Sequence, residues 1–560
     1  MDEKESKEKQ EYEEDLQRRL KILKQKMEEG KIRLPNDPHI KESLLAVRYG
    51  PDGKVDLKTV NGCVRSLSLA VTFWHDREET KKAMPLRQIQ EMYFQFIENN
   101  FGKYFEIMRK RKLPPHDVGV ALTQNPSVLD SMSKTIPKFM ESIDDFWKIT
   151  EKATYAHIED MPGMLKGVFG GDLFPSYTEN IASKCGIYAD TIILPDPFMR
   201  QKPLIGKLSP EDQVYYFFKH AVNLLQYKDL ALAELDKPIV VIVPDRIDFK
   251  ENEKPFYLKV AEDDAVIHVG KIFGRSFESF EDVMQFVQRL DTPEKLLHEV
   301  KDEERLLFDT EWKGSIQQKL SMVMKDRHTR ILGTNHPGII TASEAIGRMA
   351  TSNELLLKAR RLGAIPIIDA PTSWQYFIWK LEYDAHRAEQ KNDFKNLHVL
   401  RALQSSRNDE MEWIGRIPSD ALIEIRKSGA LDEIRDILGK GVSELVICNP
   451  ADFNQTTDKV LANIHEAFEN HKKRIKELRR KKWKFAGKDI GTWLVVGTLE
   501  ITAAATGYPI WGLAAIAANQ LTDAPKLKDI PDSVRKLAKE SKKLRHCPVG
   551  MLFKYKKKKV

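Results

Sequence analysis

Three carboxylates in this 560-residue chain close short apolar runs: Asp196 follows Thr191 to Leu194 and Pro195, Asp245 follows Ile239 to Val243 and Pro244, and Asp369 follows Ile365 to Ile368. A fourth run, Leu445 to Cys448, is followed by Asn449 and Asp452. If the runs are parallel strands, their carboxyl ends share one edge of a sheet, which is where open α/β sheets bind ligands. Carboxylates converging there suit a divalent cation or a general acid/base pair, the chemistry of a metal-dependent hydrolase with Asp196, Asp245 and Asp369 as its catalytic groups. His268 and His336 lie near other expected strand ends or turns and are candidates to join them. Turn chemistry explains the same pattern without a site, since Asp and Pro are common wherever a strand gives way to a loop.

The second chemistry is cationic. Residues 471–560 hold 23 Lys or Arg against 7 Asp or Glu; with the whole chain at +7, this stretch carries +16 and the remainder −9. The densest part supplies candidate contacts to an anionic partner: Lys472, Lys473, Arg474, Arg479, Arg480, Lys481, Lys482, Trp483 and Lys484. Clustered Lys and Arg neutralise phosphates, and an interleaved aromatic offers a stacking face, so nucleic acid and acidic lipid are both expected partners. A solvated basic face accounts for the same residues without any partner. The apolar stretch 490–521 that follows is broken by Glu500, Gly507 and Pro509 into halves too short to span a bilayer comfortably. It fits two helices packed on the body, a hairpin lying in a membrane surface, or a segment buried in a protein partner or a second copy of the chain.

Other chemistries lack their signatures. No G-x-x-x-x-G-K-[ST] loop, H-E-x-x-H helix, G-x-S-x-G elbow, kinase set or deaminase set occurs. The cysteines Cys63, Cys185, Cys448 and Cys547 are too scattered for a disulfide framework or a zinc knuckle. Cofactors stay unassigned, and a divalent cation is implied only by the hydrolase reading. Met1 to Met27 is crowded with charge and lacks the apolar core of a signal peptide, so a cytoplasmic location is expected, with peripheral membrane association as an addition.

The elements that must position these residues read as a mixed, predominantly helical α/β protein. Residues 1–34 form a charged helix with Leu16, Leu20, Leu23 and Met27 on one stripe, which docks on its own domain or on a second copy. Residues 35–165 form a helical domain whose stripe Leu86, Ile89, Met92, Tyr93, Phe96, Ile97, Phe101, Tyr104, Phe105 and Met108 reads as core. Gly163 to Gly171 reads as a hinge, with an anion-binding loop as the alternative. Residues 166–470 form an α/β domain with a short mixed or parallel sheet; its strands include Ala265 to Val269 and Leu445 to Cys448 besides the runs that precede the aspartates. Thr341 with Glu344 and Thr351 with Glu354 have capping-box spacing and predict two helices, closed by Gly363 ahead of the strand at Ile365. Two short helices flank Gly429, and 471–560 forms a basic helical module.

These features predict a multidomain binding protein that engages an anionic surface through its C-terminal module, a layout suited to a sensor and effector in bacterial defence. The alternatives are the hydrolase and a scaffold subunit that buries 490–521 in a partner.

Overall fold

The computed structural model describes residues 3–32, 37–161, 164–171, 180–245, 253–310, 312–325, 329, 333–385, 395–405, 417–448, 453–480, 484–485 and 488–489. The apolar segment 490–521, the basic residues beyond it, Asn449, Asp452, Lys481, Lys482 and Trp483 lie outside the described residues. The described chain is mostly helical with a small parallel four-stranded sheet. It divides into two compact units, Met1–Met92 with Phe146–Pro162, and Tyr93–Asp145 with Gly163–Val560.

The first unit is helical. It contains α1 (Glu3–Glu28), α2 (Pro38–Leu45), α3 (Gly62–Ala83), the start of α4 (Leu86–Arg111) and the end of α6 (Pro126–Glu159). Leu16, Leu20 and Leu23 of α1 are buried against Val55, Val60, Val64 and Val71, while Met27 lies near the surface. The stripe therefore serves this unit's own core. The Gln17 side chain completes the join: its Nε2 donates to the Val55 carbonyl at 2.6 Å and its Oε1 accepts from the Val55 N–H at 3.0 Å.

In the second unit, α4 continues as a core helix. Tyr93, Phe94, Ile97 and Phe101 are buried, and the Phe101 ring meets Phe139, Phe217 and Phe218 edge-on at 5.5–5.6 Å. Phe139 belongs to α6, and Phe217 and Phe218 to α9 (Pro210–Leu225); between α4 and α6 lies α5 (Pro115–Thr123). Edge-to-face packing thus holds part of the stripe in the core, whereas Met92, expected there, is exposed.

The sheet consists of β1 (Lys166–Phe169), β2 (Thr191–Pro195), β3 (Val240–Val243) and β4 (Ala364–Ile367), all parallel, in the order β3-β2-β1-β4. Lys166 pairs with Thr191 on one side and with Ala364 on the other, so β1, like β2, is an inner strand. Helices α7 (Ile181–Cys185), α8 (Pro197–Ile205), α9 and α10 (Lys228–Ala231) connect β1 through β2 to β3. The return to β4 runs through α11 (Glu253–Phe273), α12 (Phe280–Val287), α13 (Pro293–Glu299), α14 (Ile316–Val323) and α15 (Pro337–Leu362). After β4 come α16 (Pro371–Ala385), α17 (Lys395–Ser405), α18 (Ser419–Lys427), α19 (Leu431–Gly439), α20 (Val442–Cys448) and α21 (Phe453–Arg480); a two-residue hairpin pairs β5 (Lys484–Phe485) with β6 (Lys488–Asp489).

Several sequence expectations are corrected. The glycine-rich stretch expected to be a hinge carries the inner strand β1. Its glycines are packing devices: a Cβ on Gly167 would collide with the Ile367 side chain of β4, and one on Gly170 would lie 2.6 Å from Leu355 Cδ1 of α15. Ala265 to Val269 is helix, buried within the 21 residues of α11 at three- and four-residue steps (Ala261, Asp264, Ala265, His268, Val269, Ile272). Leu445 to Cys448 is the end of α20. A short apolar run reads the same in a buried strand and a buried helix, so neither could be separated by pattern.

The two expected capping boxes are interior to one 26-residue helix, α15, capped by His336 with Pro337 in its first turn. Thr341 and Thr351 donate their hydroxyls to the carbonyls of Pro337 and Gly347, each at 2.9 Å. Threonine back-bonding of this kind satisfies the hydroxyl without ending the helix. Gly363 does take the left-handed conformation, φ 55° and ψ 45°, and Gly429 separates α18 from α19 at φ 70°.

Candidate functional site

The strand order marks a candidate position for a ligand. Strands are added outward from β1 to β2 to β3, and the chain then returns to place β4 on the other side of β1. The direction of addition therefore reverses between β1 and β4, and in open parallel sheets the crevice beyond the carboxyl ends at such a reversal is the binding position.

At that position β1 ends in Gly170 and Gly171, and β4 ends in Ile368 and Asp369 just before α16. Gly171 has φ 83°, a conformation open to glycine at little cost, and its carbonyl accepts the Ser373 hydroxyl at 2.5 Å. Three cations from three different elements reach the start of α16. Lys184 of α7 pairs with Asp369 at 2.9 Å, and both side chains are about nine-tenths buried. Arg348 of α15 donates Nη1 to Ser373 Oγ at 3.2 Å, while its Nε lies 3.6 Å from Glu344. Arg401 of α17 places its guanidinium carbon 4.4 Å from the centroid of the Trp374 ring. Arg348 and Arg401 are partly exposed, whereas Ser373 and Trp374 are buried.

The electrostatics of Cys185 register the same cluster. Burial pushes its thiol up to about 12; Lys184 and Arg401 oppose that shift and Asp369 adds to it. A thiol so placed is protonated at neutral pH, so it belongs to the packing rather than to nucleophilic chemistry.

The three predicted aspartates have separate engagements. Asp196 is fully buried and caps α8, accepting the N–H groups of Phe198 at 2.7 Å and Met199 at 3.2 Å. It also acts on Tyr93, whose hydroxyl is pushed well above its ordinary value by burial and then by this carboxylate. Asp245 is held by Arg200 Nη1 at 3.1–3.2 Å and by Lys358 Nζ at 2.5 Å. Glu354 joins that group through Lys358 and, at 3.7 Å, Arg200. Burial acts to raise the Glu354 carboxyl, but Lys358 and Arg200 outweigh it and leave the group below the usual carboxylate range. Asp369 alone of the three is tied to the β1/β4 crevice through Lys184. Among the described residues, no three His, Cys, Asp or Glu side chains gather as a metal ion requires.

Both histidines are structural in their surroundings. His336 accepts the Ile339 N–H at the start of α15. His268 is buried in α11 with its Nδ1 2.9 Å from the Tyr383 hydroxyl, and burial, reinforced by Arg305, lowers its pKa to about 3.

Of the cationic candidates, Lys472, Lys473, Arg474, Arg479 and Arg480 lie on α21, and Lys484 is in β5. Among the described side chains of α21 the buried ones are Phe453, Thr456, Val460, Asn463, Ile464, Phe468 and His471, and Lys473 and Arg474 are exposed. Lys184, Arg348, Arg401, Ser373 and Trp374 were not singled out in the sequence. Ser373 and Trp374 could have been, since Asp369-Ala-Pro-Thr-Ser-Trp reads as a strand end followed by a helix start. The two arginines carry no local signal, because helices distant in sequence bring them in.

No protein family, curated protein or solved structure matches the chain.

Proposed function

We propose that the second unit is a ligand-binding α/β domain that takes a small phosphate-bearing molecule at the β1/β4 crevice. The observation that carries this reading is that Lys184 pairs with Asp369 just before α16 while Arg348 and Arg401 contact Ser373 and Trp374 in its first turn, at the reversal point of a parallel sheet. A helix start favours negative charge through its outward N–H groups, and guanidinium forks match phosphate oxygens in pairs. Lys184 pairs with Asp369, and the partly exposed Arg348 and Arg401 are the side chains this reading assigns to the ligand. A dinucleotide is disfavoured. Gly170-Gly171 lacks the third glycine of the pyrophosphate-binding turn, and Asp196, the acidic residue after β2, is fully buried as a helix cap instead of facing a ribose.

Equilibrium dialysis against inorganic phosphate, pyrophosphate and ATP tests the reading. Removing a charge-assisted hydrogen bond costs roughly 1.5–3 kcal/mol, so Arg348→Ala and Arg401→Ala should each weaken binding by about ten-fold or more. The reading fails if none of the three binds at millimolar concentration, or if both variants bind as the wild type does.

A second activity is favoured by the pattern of α21. Among its described side chains the last buried one is His471, and Lys473 and Arg474 after it are exposed, which supports an arm that engages an anionic surface, nucleic acid or acidic lipid, through Lys472 to Lys484. The two activities together make a sensor-like layout. Liposome flotation beside a nucleic-acid shift assay should show binding that falls with salt and weakens in Lys473→Glu/Arg474→Glu. A full-length protein that binds neither at low salt rules the arm out.

A further inference from the structure

The first residue of α21, Phe453, sits between the two helices that line the crevice. Its ring meets Trp374 of α16 edge-on at 5.0 Å and 87°, and stacks on His398 of α17 at 3.9 Å with the planes 6° apart. Trp374 is the residue that Arg401 covers on its ring face, and His398 lies one turn before Arg401 on α17. A hydrogen-bond relay fixes the stack. Thr456 Oγ1 lies 3.1 Å from the Phe453 carbonyl and 2.7 Å from His398 Nδ1, so the one hydroxyl links both. His398 and Thr456 are both buried. From this clamp α21 runs 28 residues, about 42 Å at 1.5 Å per residue, to the basic stretch ending at Arg480.

We propose that occupancy of the crevice is transmitted to the cationic helix α21 through the Trp374–Phe453–His398 clamp. The inference rests on the reading of the crevice as a small-anion site. An anion at the start of α16 draws the Arg401 guanidinium off the Trp374 face. The same pull acts on α17, which carries His398, so both rings that hold Phe453 feel the ligand. Phe453 touches both rings, and Thr456 one turn on contacts His398 as well, which makes this end of α21 the point of transfer. The cores of helices respond to such shifts by choosing between discrete packings, and a long helix carries a small rotation at one end to a larger displacement at the other.

Hydrogen exchange of the α21 amides in the full chain, with and without saturating pyrophosphate, tests the coupling, with binding measured separately by dialysis. In the wild type, exchange across residues 453–471 should slow at least five-fold on saturation. Phe453→Leu should bind pyrophosphate within three-fold of the wild type and lose that response. Thr456→Val, which removes the relay while keeping the side-chain shape, should reduce the response and serves in its place should Phe453→Leu not fold. Pyrophosphate binding with unchanged α21 exchange, or an equal response in the variants, overturns the coupling and leaves the crevice reading standing. Absence of pyrophosphate binding overturns both.

Discussion

Replacing Lys380 with methionine removes the cation from one of the most deeply buried ion pairs of the second unit. Lys380 Nζ on α16 lies 2.8 Å from Asp264 on α11, with side-chain exposures of 3% and 0%. At that distance the attraction is about 6 kcal/mol for an effective dielectric of about 20, before the cost of removing both ions from water. That cost makes the net worth of the pair small, but losing one partner strands the other charge and costs roughly 3–5 kcal/mol. The structure adds an asymmetry. Asp264 would keep the neutral Asn353 amide, at 2.8 Å, whereas Lys380 keeps a second carboxylate, Asp384, at 2.5 Å. Asp264→Asn should therefore cost less, roughly 1–2 kcal/mol, and the double variant should be more stable than Lys380→Met alone. The assay is native-state hydrogen exchange at α11 and α16 amides, where a loss of 3–5 kcal/mol appears as exchange about a hundred-fold to several thousand-fold faster. Equal costs for the two single variants, or less than about 1 kcal/mol for Lys380→Met, would refute the reasoning.

Three further outcomes follow from packing and titration. Gly170→Ala places a methyl against Leu355 and should destabilise the sheet by about 1–3 kcal/mol, with Leu355→Ala restoring part of the loss; thermal melts of the single and double variants check this. His220 and His268 are buried with pKa values lowered to about 3, by burial foremost and then by Lys219 and Arg305 respectively. Their folded-state values lie below the unfolded one, so the stability they contribute is complete above about pH 6.5 and is lost as pH falls toward 3, reaching about 2 kcal/mol per histidine at pH 5. Urea titrations between pH 7 and 5 should show that slope, and His268→Gln should flatten it. In the first unit, Arg77 binds Asp160 through Nε at 2.9–3.0 Å and the Ala156 carbonyl at 3.1 Å. Arg77→Lys cannot reproduce this fork and should speed exchange at the end of α6.

The legible part of the fold was the part whose pattern and local chemistry agree. The runs that became β2, β3 and β4 are rich in β-branched residues and end at turn residues, and all three are strands with carboxylates after them. Gly363 and Gly429 marked helix ends because a left-handed residue is cheap only for glycine. By contrast, β1 was hidden because Gly167 and Gly170 make room for Ile367 and Leu355, partners nearly two hundred residues away in the chain. Thr341 and Thr351 carried the spacing of caps yet bond backward within one helix, a choice made by the packing of α15 against β1 and β4.

The site divides along the same line. By itself the sequence determined the helical, mixed α/β class, the strand-end aspartates and the charge contrast between residues 471–560 and the rest, because these depend on composition, short-range periodicity and turn chemistry. Only the tertiary structure decided what each aspartate does: Asp196 caps a helix, Asp245 sits between Arg200 and Lys358, and Asp369 pairs with Lys184. It also decided that Arg348 bonds Ser373 and Arg401 covers the Trp374 ring at the start of α16. The physical reason is strand order. A parallel sheet that reverses its direction of growth brings helices from distant parts of the chain to one crevice, and no local pattern encodes that encounter.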